Sequence, residues 1–381
     1  MPVAHYEASI AKNFVAHSSL PFIGVGARRI TFVLPGYAND PNGGYKVHYQ
    51  YANAFASQGE HVTIVLPAAI SGRPTAKQVL WCLRMARRPP ITWFTFHPAI
   101  DVRVVPSLRA PFLPRADVTV LTGWQTAELT KKSPRRGVLT QIVYDYEIWM
   151  EYPDRRPRIR AALTRPDVHR IATSSIVADM LREMGSEPYA TVTAGLADGD
   201  FGIDVPIEDR RPVVAFPLRS QPSKDMKTAF AAAEAIRASL PGVTILCFGD
   251  PKGESVPPSV QSVGRLGDAE LRELYNRCAV FMLTSRHEGW GLPALEAMAC
   301  GAAVVSTRCG GIEDFVVDGR NGLLSPVGDP TAVAAVVIRL LSNETERVRL
   351  GKAGAEDASS MTVTKSARAL DAVLDRIIGT T

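Results

Sequence analysis

The chain has 381 residues, of which 46% are hydrophobic and 21% charged, and its formal net charge is +5. This length exceeds one ordinary hydrophobic core and predicts two domains of a globular enzyme. The mild charge and the lack of a nucleic-acid motif argue against nucleic-acid binding. No apolar run reaches membrane-spanning length, and no export pattern opens the chain, so we expect a cytoplasmic protein.

The charge is uneven along the chain. Residues 1–207 contain 23 Lys and Arg against 17 Asp and Glu, whereas residues 208–381 contain 20 against 21. A modest basic surface on the first half suits an anionic acceptor or a lipid headgroup, or has no partner at all. The five cysteines show neither C-x-x-C spacing nor a nearby His pair. They are therefore expected to be reduced core thiols.

The first half begins like a Rossmann-type domain. Residues 1–28 show no clear period, and we assign them no role. We predict a strand at 29–35 and a glycine-rich loop at 36–44, which contains Gly43 and Gly44. A helix at 45–58 and a second strand at 61–66 follow. Ligands of such domains bind beyond the carboxyl ends of the strands. The loop matches neither G-x-G-x-x-G nor a Walker sequence, so we predict neither a dinucleotide nor a nucleoside triphosphate here.

Residues 75–88 form an amphipathic basic stretch, with Leu80, Trp81 and Leu83 among lysine and arginine residues. Such a helix suits a peripheral contact with the inner face of a membrane. The alternative is a surface helix whose apolar stripe packs inward.

Further strands are predicted at 102–105, 118–121, 137–144 and 191–195, with a helix at 175–184. The third strand runs into Tyr144, Asp145, Tyr146, Glu147, Ile148 and Trp149. The Asp198-x-Asp200 pair invites a metal-site interpretation, which we reject in favour of a connector. Residues 206–212 are polar and flanked by proline, as is typical of a linker.

The second half predicts another Rossmann-like domain. Its strands are expected at 213–216 and 244–248, and its helices at 226–238, 268–277, 331–341 and 362–378. Arg219 and Lys224 follow the first of these strands. Taken alone, both could be solvated loop cations.

The most informative stretch runs from Phe281 to Glu313. An apolar strand leads into a glycine-bearing loop, Pro293 stands at the start of a helix, and residues 303–306 form a second strand. This βαβ unit offers backbone N–H groups and a helix amino terminus to an anion. Its glutamates, Glu288 and Glu296, are eight positions apart. An anonymous βαβ unit with two solvated carboxylates is the alternative.

This glutamate pair, followed by Gly310-Gly311-Ile312-Glu313, resembles the large retaining glycosyltransferase family four (glycosyl transferases group 1), which has the GT-B fold. The resemblance implies two Rossmann-like α/β domains with parallel sheets facing across a cleft. It places an acceptor-side domain at 1–207, completed by a carboxyl-terminal helix at about 360–381. It places a nucleotide-sugar donor domain at 208–359.

The resemblance also implies the donor-site roles. Glu288 would face the donor sugar, Glu296 would bind the ribose, and Arg219 and Lys224 would contact the diphosphate. Backbone groups would contribute from residues Gly43, Gly44, Gly289, Trp290, Gly291 and Leu292. The nucleotide base would be contacted near Val263 and Arg265, and neither a cofactor nor a metal would be needed.

On the acceptor side, family members commonly place a His-Asp pair where this chain has Tyr144 and Asp145. The string YDYEIW resembles a rhamnosyltransferase-like subgroup. Asp145 and Glu147 are therefore the candidates to orient or deprotonate an acceptor hydroxyl.

The sequence thus predicts a retaining, metal-independent hexosyl- or deoxyhexosyltransferase. Its acceptor would be a saccharide, a glycolipid or a small molecule. A sugar-nucleotide epimerase or hydrolase, and a non-catalytic nucleotide-sugar-binding protein, are the alternatives. No nucleic-acid partner is expected, and the sequence predicts no oligomeric state.

Overall fold

The computed structural model describes residues 27–38, 43–70, 74–85, 91–109, 112–144, 153–250, 253 and 255–379. Over these residues the chain forms two α/β domains, each built on a parallel sheet with helices packed on its faces. The predicted fold class, two Rossmann-like domains, is confirmed.

The first sheet has seven strands within the described residues, in the order β3-β2-β1-β4-β5-β6-β7. The strands are β1 (Arg29–Val33), β2 (His61–Ala69), β3 (Asp101–Ser107), β4 (Val118–Leu121), β5 (Val138–Val143), β6 (Val168–Ala172) and β7 (Ala190–Thr191). The helices are α1 (Gly43–Ser57), α2 (Ala76–Met85), α3 (Trp124–Leu129), α4 (Arg156–Leu163) and α5 (Ser175–Glu183). The order reverses between β1 and β4, and such a switch point opens a crevice at the carboxyl ends of the strands.

The second sheet has the order β10-β9-β8-β11-β12-β13 in the described part of the chain. Its strands are β8 (Val213–Leu218), β9 (Thr244–Gly249), β10 (Gln261–Ser262), β11 (Val280–Leu283), β12 (Ala303–Thr307) and β13 (Leu323–Ser325). The helices are α6 (Met226–Ser239), α7 (Asp268–Arg277), α8 (Leu292–Ala299), α9 (Pro330–Ser342), α10 (Glu344–Ser359) and α11 (Val363–Gly379). Its switch point lies between β8 and β11.

Apolar packing fixes these layers. One continuous cluster of buried side chains covers one face of each sheet, and it includes Phe32 and Phe55 in the first domain and Phe281 and Leu295 in the second. A second cluster, with α6 and α9, covers the opposite face of the second sheet. A third, with α3, α4 and α5, covers the opposite face of the first sheet. All five cysteines are free and buried.

The predicted strand at 191–195 is wrong in length, because β7 ends at Thr191. Beyond β7 the chain turns to the start of α11, where the Leu196 N–H donates to Met361 O (2.9 Å) and the Val363 N–H donates to Leu196 O (2.7 Å). These bonds remove the segment from the sheet.

Three helices, α3, α4 and α10, were not predicted. In α10 the pattern is hidden by Gly351 and Gly354, which disfavour a helix interior. The structure explains the first of them: a Cβ on Gly351 would lie 2.5 Å from Gly301 O. The helix therefore packs its backbone directly against the turn that ends α8.

The last helix, α11, packs on the first domain. Its Asp371 accepts a hydrogen bond from the Arg28 guanidinium, which also binds Glu60 (2.6 Å between Nη2 and Oε1). The connection at 206–212 packs instead on the second domain. Arg210 there is buried and donates to the carbonyls of Cys278 (3.1 Å) and Cys300 (2.6 Å).

Helix α2 has one buried side chain, Cys82, while Leu80 and Leu83 are 51% and 64% exposed. The Trp81 ring packs edge-on against Tyr37, with 5.2 Å between ring centroids. Part of the apolar stripe of α2 therefore packs against the protein, and part is exposed to solvent. Among the described residues, no helix has the length and apolar character that crossing a bilayer requires.

The contact between the β7 segment and α11 predicts that Gly195→Ala destabilises the protein. An added Cβ would lie 2.2 Å from the carbonyl carbon of Thr362, so the backbones must separate. We expect a loss of about 1–3 kcal/mol, measured by urea unfolding. Gly242→Ala is the matched control, because its Cβ would meet nothing within 4 Å, and it should change stability by less than about 0.5 kcal/mol. Equal effects of the two substitutions would contradict this packing.

Candidate active site

A small cavity lies where β8 and β11 end beside each other. It has a volume of about 40 Å³, and its lining includes Arg219, Lys224, Ser285, Glu288 and Pro293. Because parallel strands end at the same edge of a sheet, three predicted site residues from two loops meet here.

Glu288 is held from several directions. Its Oε2 lies 3.1 Å from Lys224 Nζ, with both side chains 13% exposed, and its Oε1 accepts a hydrogen bond from Ser285 Oγ (2.7 Å). Lys224 Nζ also donates to His287 O (3.3 Å). The carboxylate is therefore fixed beside a cation and partly shielded from water, which strengthens the interaction of both groups with a polar ligand.

The backbone of Glu288 joins two loops. Its N–H donates to Cys309 O (2.7 Å), and its carbonyl accepts from the Gly311 N–H (2.8 Å). A Cβ on Gly311 would lie 2.2 Å from Gly289 O, and Gly310 has a φ of 101°. Only glycine allows this approach and this conformation.

The two domains face each other at helix amino termini. Helix α8 begins after Gly291, which has a φ of 99°. A Cβ placed on Gly43, the first residue of α1, would lie 3.8 Å from Leu292 Cδ1. Gly44 O in turn accepts a hydrogen bond from Nδ1 of the buried His48 (2.6 Å), and burial lowers the pKa of His48 to about 4. A neutral imidazole is therefore hydrogen-bonded to the first turn of α1, the end of the helix that lies near Leu292.

Glu296 lies one helical turn inside α8 and is 8% exposed. Tyr275 donates a hydrogen bond to its Oε2 (3.0 Å). Burial raises the pKa of Glu296 to about 7, while Lys46 and the Tyr275 bond lower it. Lys46 is itself paired with Asp268 across the domain interface (2.7 Å).

Another contact joins the domains at the start of α5. The backbone N–H of Ser175 donates to Asp314 Oδ2 (2.7 Å), and its hydroxyl donates to the other carboxylate oxygen. A carboxylate at a helix amino terminus is electrostatically favourable. Together with Lys46–Asp268, it forms a polar contact between the two domains.

The remaining predicted residues lie around this centre or outside the described chain. Val263 and Arg265 follow β10 at the next strand ends, where Arg265 pairs with Asp250 (2.7 Å). Asp145 and Glu147 lie outside the described residues. Asp198 accepts a hydrogen bond from Thr364. In the described part of the chain, no group of three or more His, Cys, Asp or Glu side chains is arranged to hold a metal.

Sequence reasoning missed four side chains that shape the site: Asp225, Ser285, Tyr275 and Lys46. Asp225 has a φ of 45°, and its side chain accepts from the Thr228 N–H at the start of α6 (3.3 Å) and pairs with Arg286 (3.0 Å). This strained residue directly follows Lys224 and fixes the end of its loop. The Lys-Asp dipeptide before a helix was the available signal.

Comparison with known proteins gives a family match within the second domain. Residues 211–343 match the family model described as "Glycosyl transferases group 1". The match includes the whole cavity and the segment from Phe281 to Glu313.

Relatives and solved structures extend the likeness to both domains. A glycogen synthase of Mycobacterium tuberculosis is 25% identical over 289 residues, which are 70% of this chain and 63% of that enzyme. Among the curated relatives with strong sequence matches, the chain spans 21% to 63% of their length.

Two solved structures have the same two-domain fold. They are a sucrose-phosphate synthase from Thermosynechococcus elongatus (TM-score 0.74, 19% identity) and Anabaena HepE in complex with UDP and glucose (TM-score 0.70, 17% identity). They cover 93% and 92% of this chain, and all of each solved chain is matched. The likeness establishes the GT-B fold.

Because Glu296 is buried, we predict that the difference in unfolding free energy between the wild type and Glu296→Gln depends on pH. The folded pKa of about 7 exceeds the usual value of 4.5, so stability associated with the protonated carboxyl is present below about pH 4.5 and is lost as the pH rises to about 7. The variant should therefore gain stability relative to the wild type over this range, on the order of 2–3 kcal/mol, in urea unfolding.

The control is Glu234→Gln, which changes an exposed carboxylate on α6. Its unfolding free energy should remain parallel to that of the wild type across the same pH range. A constant difference between Glu296→Gln and the wild type would show that Glu296 is ionised in the folded protein at all these pH values.

Proposed function

We propose that this protein is a glycosyltransferase that moves a sugar from a nucleoside diphosphate to an acceptor hydroxyl. The observation that carries this proposal is the meeting of Arg219, Lys224 and Glu288 at one cavity, in the domain that matches the group 1 family. The two cations suit a donor with an anionic leaving group, and the carboxylate suits the hydroxyl groups of a sugar.

The diphosphate would be stabilised by fixed positive charge. When the sugar–phosphate bond breaks, negative charge develops on the leaving diphosphate, and preorganised cations and backbone N–H groups lower the energy of that state. Arg219 and Lys224 supply the cations, while the loop from Gly289 to Leu292 supplies backbone groups and the amino terminus of α8. No metal is required in this scheme.

Glu288 would fix the donor sugar through its hydroxyl groups and favour an oxocarbenium-like transition state. Lys224 and Ser285 hold this carboxylate in place, so its orientation need not be found during each turnover. Glu296 would bind the ribose hydroxyls. We further propose that anomeric configuration is retained, with the leaving phosphate taking the acceptor proton.

The finer specificity is also a proposal. The string from Tyr144 to Trp149 favours rhamnose or another deoxyhexose as the donor sugar. Asp145 and Glu147 would orient the acceptor hydroxyl, and the base would be contacted near Val263 and Arg265. The exposed leucines of α2 beside its basic residues suit a peripheral contact with the cytoplasmic face of a membrane.

The diphosphate assignment predicts a selective loss of affinity in Arg219→Ala. Titration calorimetry with UDP, TDP, GDP and ADP identifies the nucleotide that the wild type prefers. For that diphosphate the variant should bind about 10- to 100-fold more weakly, because a charged hydrogen bond is lost. Affinity for the corresponding nucleoside should hardly change.

The control is Arg211→Ala, an exposed arginine outside the cavity, which should leave both affinities unchanged. Equal losses for the diphosphate and the nucleoside would contradict the Arg219–diphosphate contact. If the wild type binds none of the four diphosphates, the proposed donor class is wrong.

The role of Glu288 predicts that Glu288→Gln lowers turnover by about 100-fold or more while nucleoside diphosphate affinity stays within about threefold. The neutral amide is nearly isosteric but cannot stabilise a developing positive charge. Product formation from donor sugar and acceptor, measured by mass spectrometry in excess EDTA, gives the turnover.

Unchanged turnover would remove Glu288 from the chemistry. Product from donor alone would instead favour the epimerase or hydrolase class. Loss of wild-type activity in EDTA would contradict the metal-free scheme.

A further inference from the structure

A second, larger concavity lies on the first domain, where β1, β2 and β3 begin. The candidate active site, by contrast, lies where strands of the second sheet end. The first-domain concavity has a volume of about 590 Å³, and we call it the arginine groove. It is lined by Arg29, His61, Thr63, Arg103, Phe112, Leu113, Pro114, Arg115 and Arg135. None of these residues has a part in the proposed donor chemistry.

Strand register places Arg29 and Arg103 on the same face of the sheet. Arg29 is the parallel partner of His61 in the β1–β2 pair, and Arg103 lies two strands away from Arg29 on β3. Because side chains alternate along a strand, Arg29 and Val33 share one face of the sheet. At the carboxyl end that face is buried by the cluster containing Val33, Val65 and Val105. At the amino end this face presents Arg29, and on the outer strand β3 it presents Arg103, which is the register partner of Val65 and therefore lies level with Val33.

The loops that complete the groove are tied to the sheet by backbone hydrogen bonds. The Ala116 N–H donates to Arg135 O (2.9 Å), and the Asp117 N–H donates to Arg29 O (2.8 Å). Leu113 is buried beneath them. Arg115 and Arg135 are therefore exposed side chains on a supported backbone.

The charges in the groove are only partly neutralised. Arg29 pairs with Asp117 (2.6 Å), and Arg103 pairs with Asp101 (2.5 Å). No acidic residue is among the lining residues. Within the described part of the chain, Arg115 and Arg135 have no ion-pair partner, so two full positive charges remain. Lys131 and Lys132, also exposed, precede Arg135 in the same connection.

The Phe112 ring adds an apolar surface among these cations, since it is 37% exposed. Guanidinium groups bind phosphate, sulfate and carboxylate oxygens in pairs of hydrogen bonds. An aromatic ring covers the apolar face of a sugar, so cations separated around a ring suit a chain that alternates sugar faces with anionic groups.

We propose that the arginine groove binds an anionic saccharide. Its ligand class is an oligosaccharide bearing several sulfate, phosphate or carboxylate groups, bound through Arg115 and Arg135 and covered by Phe112. The groove would hold a distal part of a charged acceptor or product, a role that rests on the proposed glycosyltransferase function. Binding itself requires no turnover.

The test uses fondaparinux, a sulfated pentasaccharide, as the probe and maltopentaose as the neutral comparison, both titrated into the full chain by calorimetry. We expect fondaparinux to bind, maltopentaose not to bind, and binding to weaken as NaCl rises from about 50 to about 300 mM. The double variant Arg115→Gln/Arg135→Gln should weaken fondaparinux binding by at least about tenfold.

The matched control is Arg211→Gln/Arg368→Gln, which removes the same charge from exposed arginines outside the groove and should bind fondaparinux like the wild type. Nucleoside diphosphate affinity should be the same in the wild type and both double variants. This measurement tests the donor site separately, so that failure of the groove and failure of the proposed function give different results.

Equal fondaparinux affinity in the wild type and Arg115→Gln/Arg135→Gln would overturn the proposal. Displacement of fondaparinux by saturating nucleoside diphosphate would also overturn it, because the probe would then occupy the cleft. Binding to phosphatidylglycerol vesicles but not to fondaparinux, lost in the same variant, would assign the groove to a membrane surface instead.

Discussion

The candidate active site depends on a backbone contact that only glycine permits. Glu288 is joined to the Cys309–Gly311 turn by two hydrogen bonds, and the turn reaches it because Gly311 leaves room beside Gly289 O. This contact orients the loop that carries Glu288 towards the ends of β8 and β11. Lys224 can then pair with its carboxylate at 3.1 Å. A side chain at Gly311 would separate the Glu288 loop from the Cys309–Gly311 turn. Glu288 would then no longer be held beside Lys224 in the cavity.

Lys224 has its own constraint. Asp225, with its left-handed backbone and its hydrogen bond to the start of α6, fixes where the loop after β8 must end. Arg219 stands earlier in this loop and lines the same cavity. The positive charges are therefore positioned by the strand and the helix that flank them, and catalytic groups on such a loop keep their geometry without a ligand.

Much of the fold could be predicted from the sequence because buried parallel strands are continuous apolar runs and are separated by glycine-marked turns. The segment from Phe281 to Glu313 is such a case, and its strand, loop and helix are where the pattern predicts them. The prediction was wrong where distant contacts decide local structure. After Val192, whose N–H still donates to Ala172 O, the chain leaves the sheet, and Leu196 bonds to Met361 and Val363. No local pattern encodes a partner that is about 170 residues away. Likewise, the Tyr275–Glu296 and Lys46–Asp268 contacts join residues from different elements, so spacing along the chain did not reveal them.

The position of α11 has a consequence for the order in which the protein is made. The first domain begins at the amino-terminal end of the described chain, yet one face of α1 is covered by the last helix, with Arg28 bound to Asp371. During synthesis the second domain can complete its own sheet before α11 has left the ribosome. The first domain must meanwhile keep an apolar surface uncovered while about 180 further residues are added. Such a delay exposes nascent chains to aggregation, so the apolar face of α1 is vulnerable until α11 has been made.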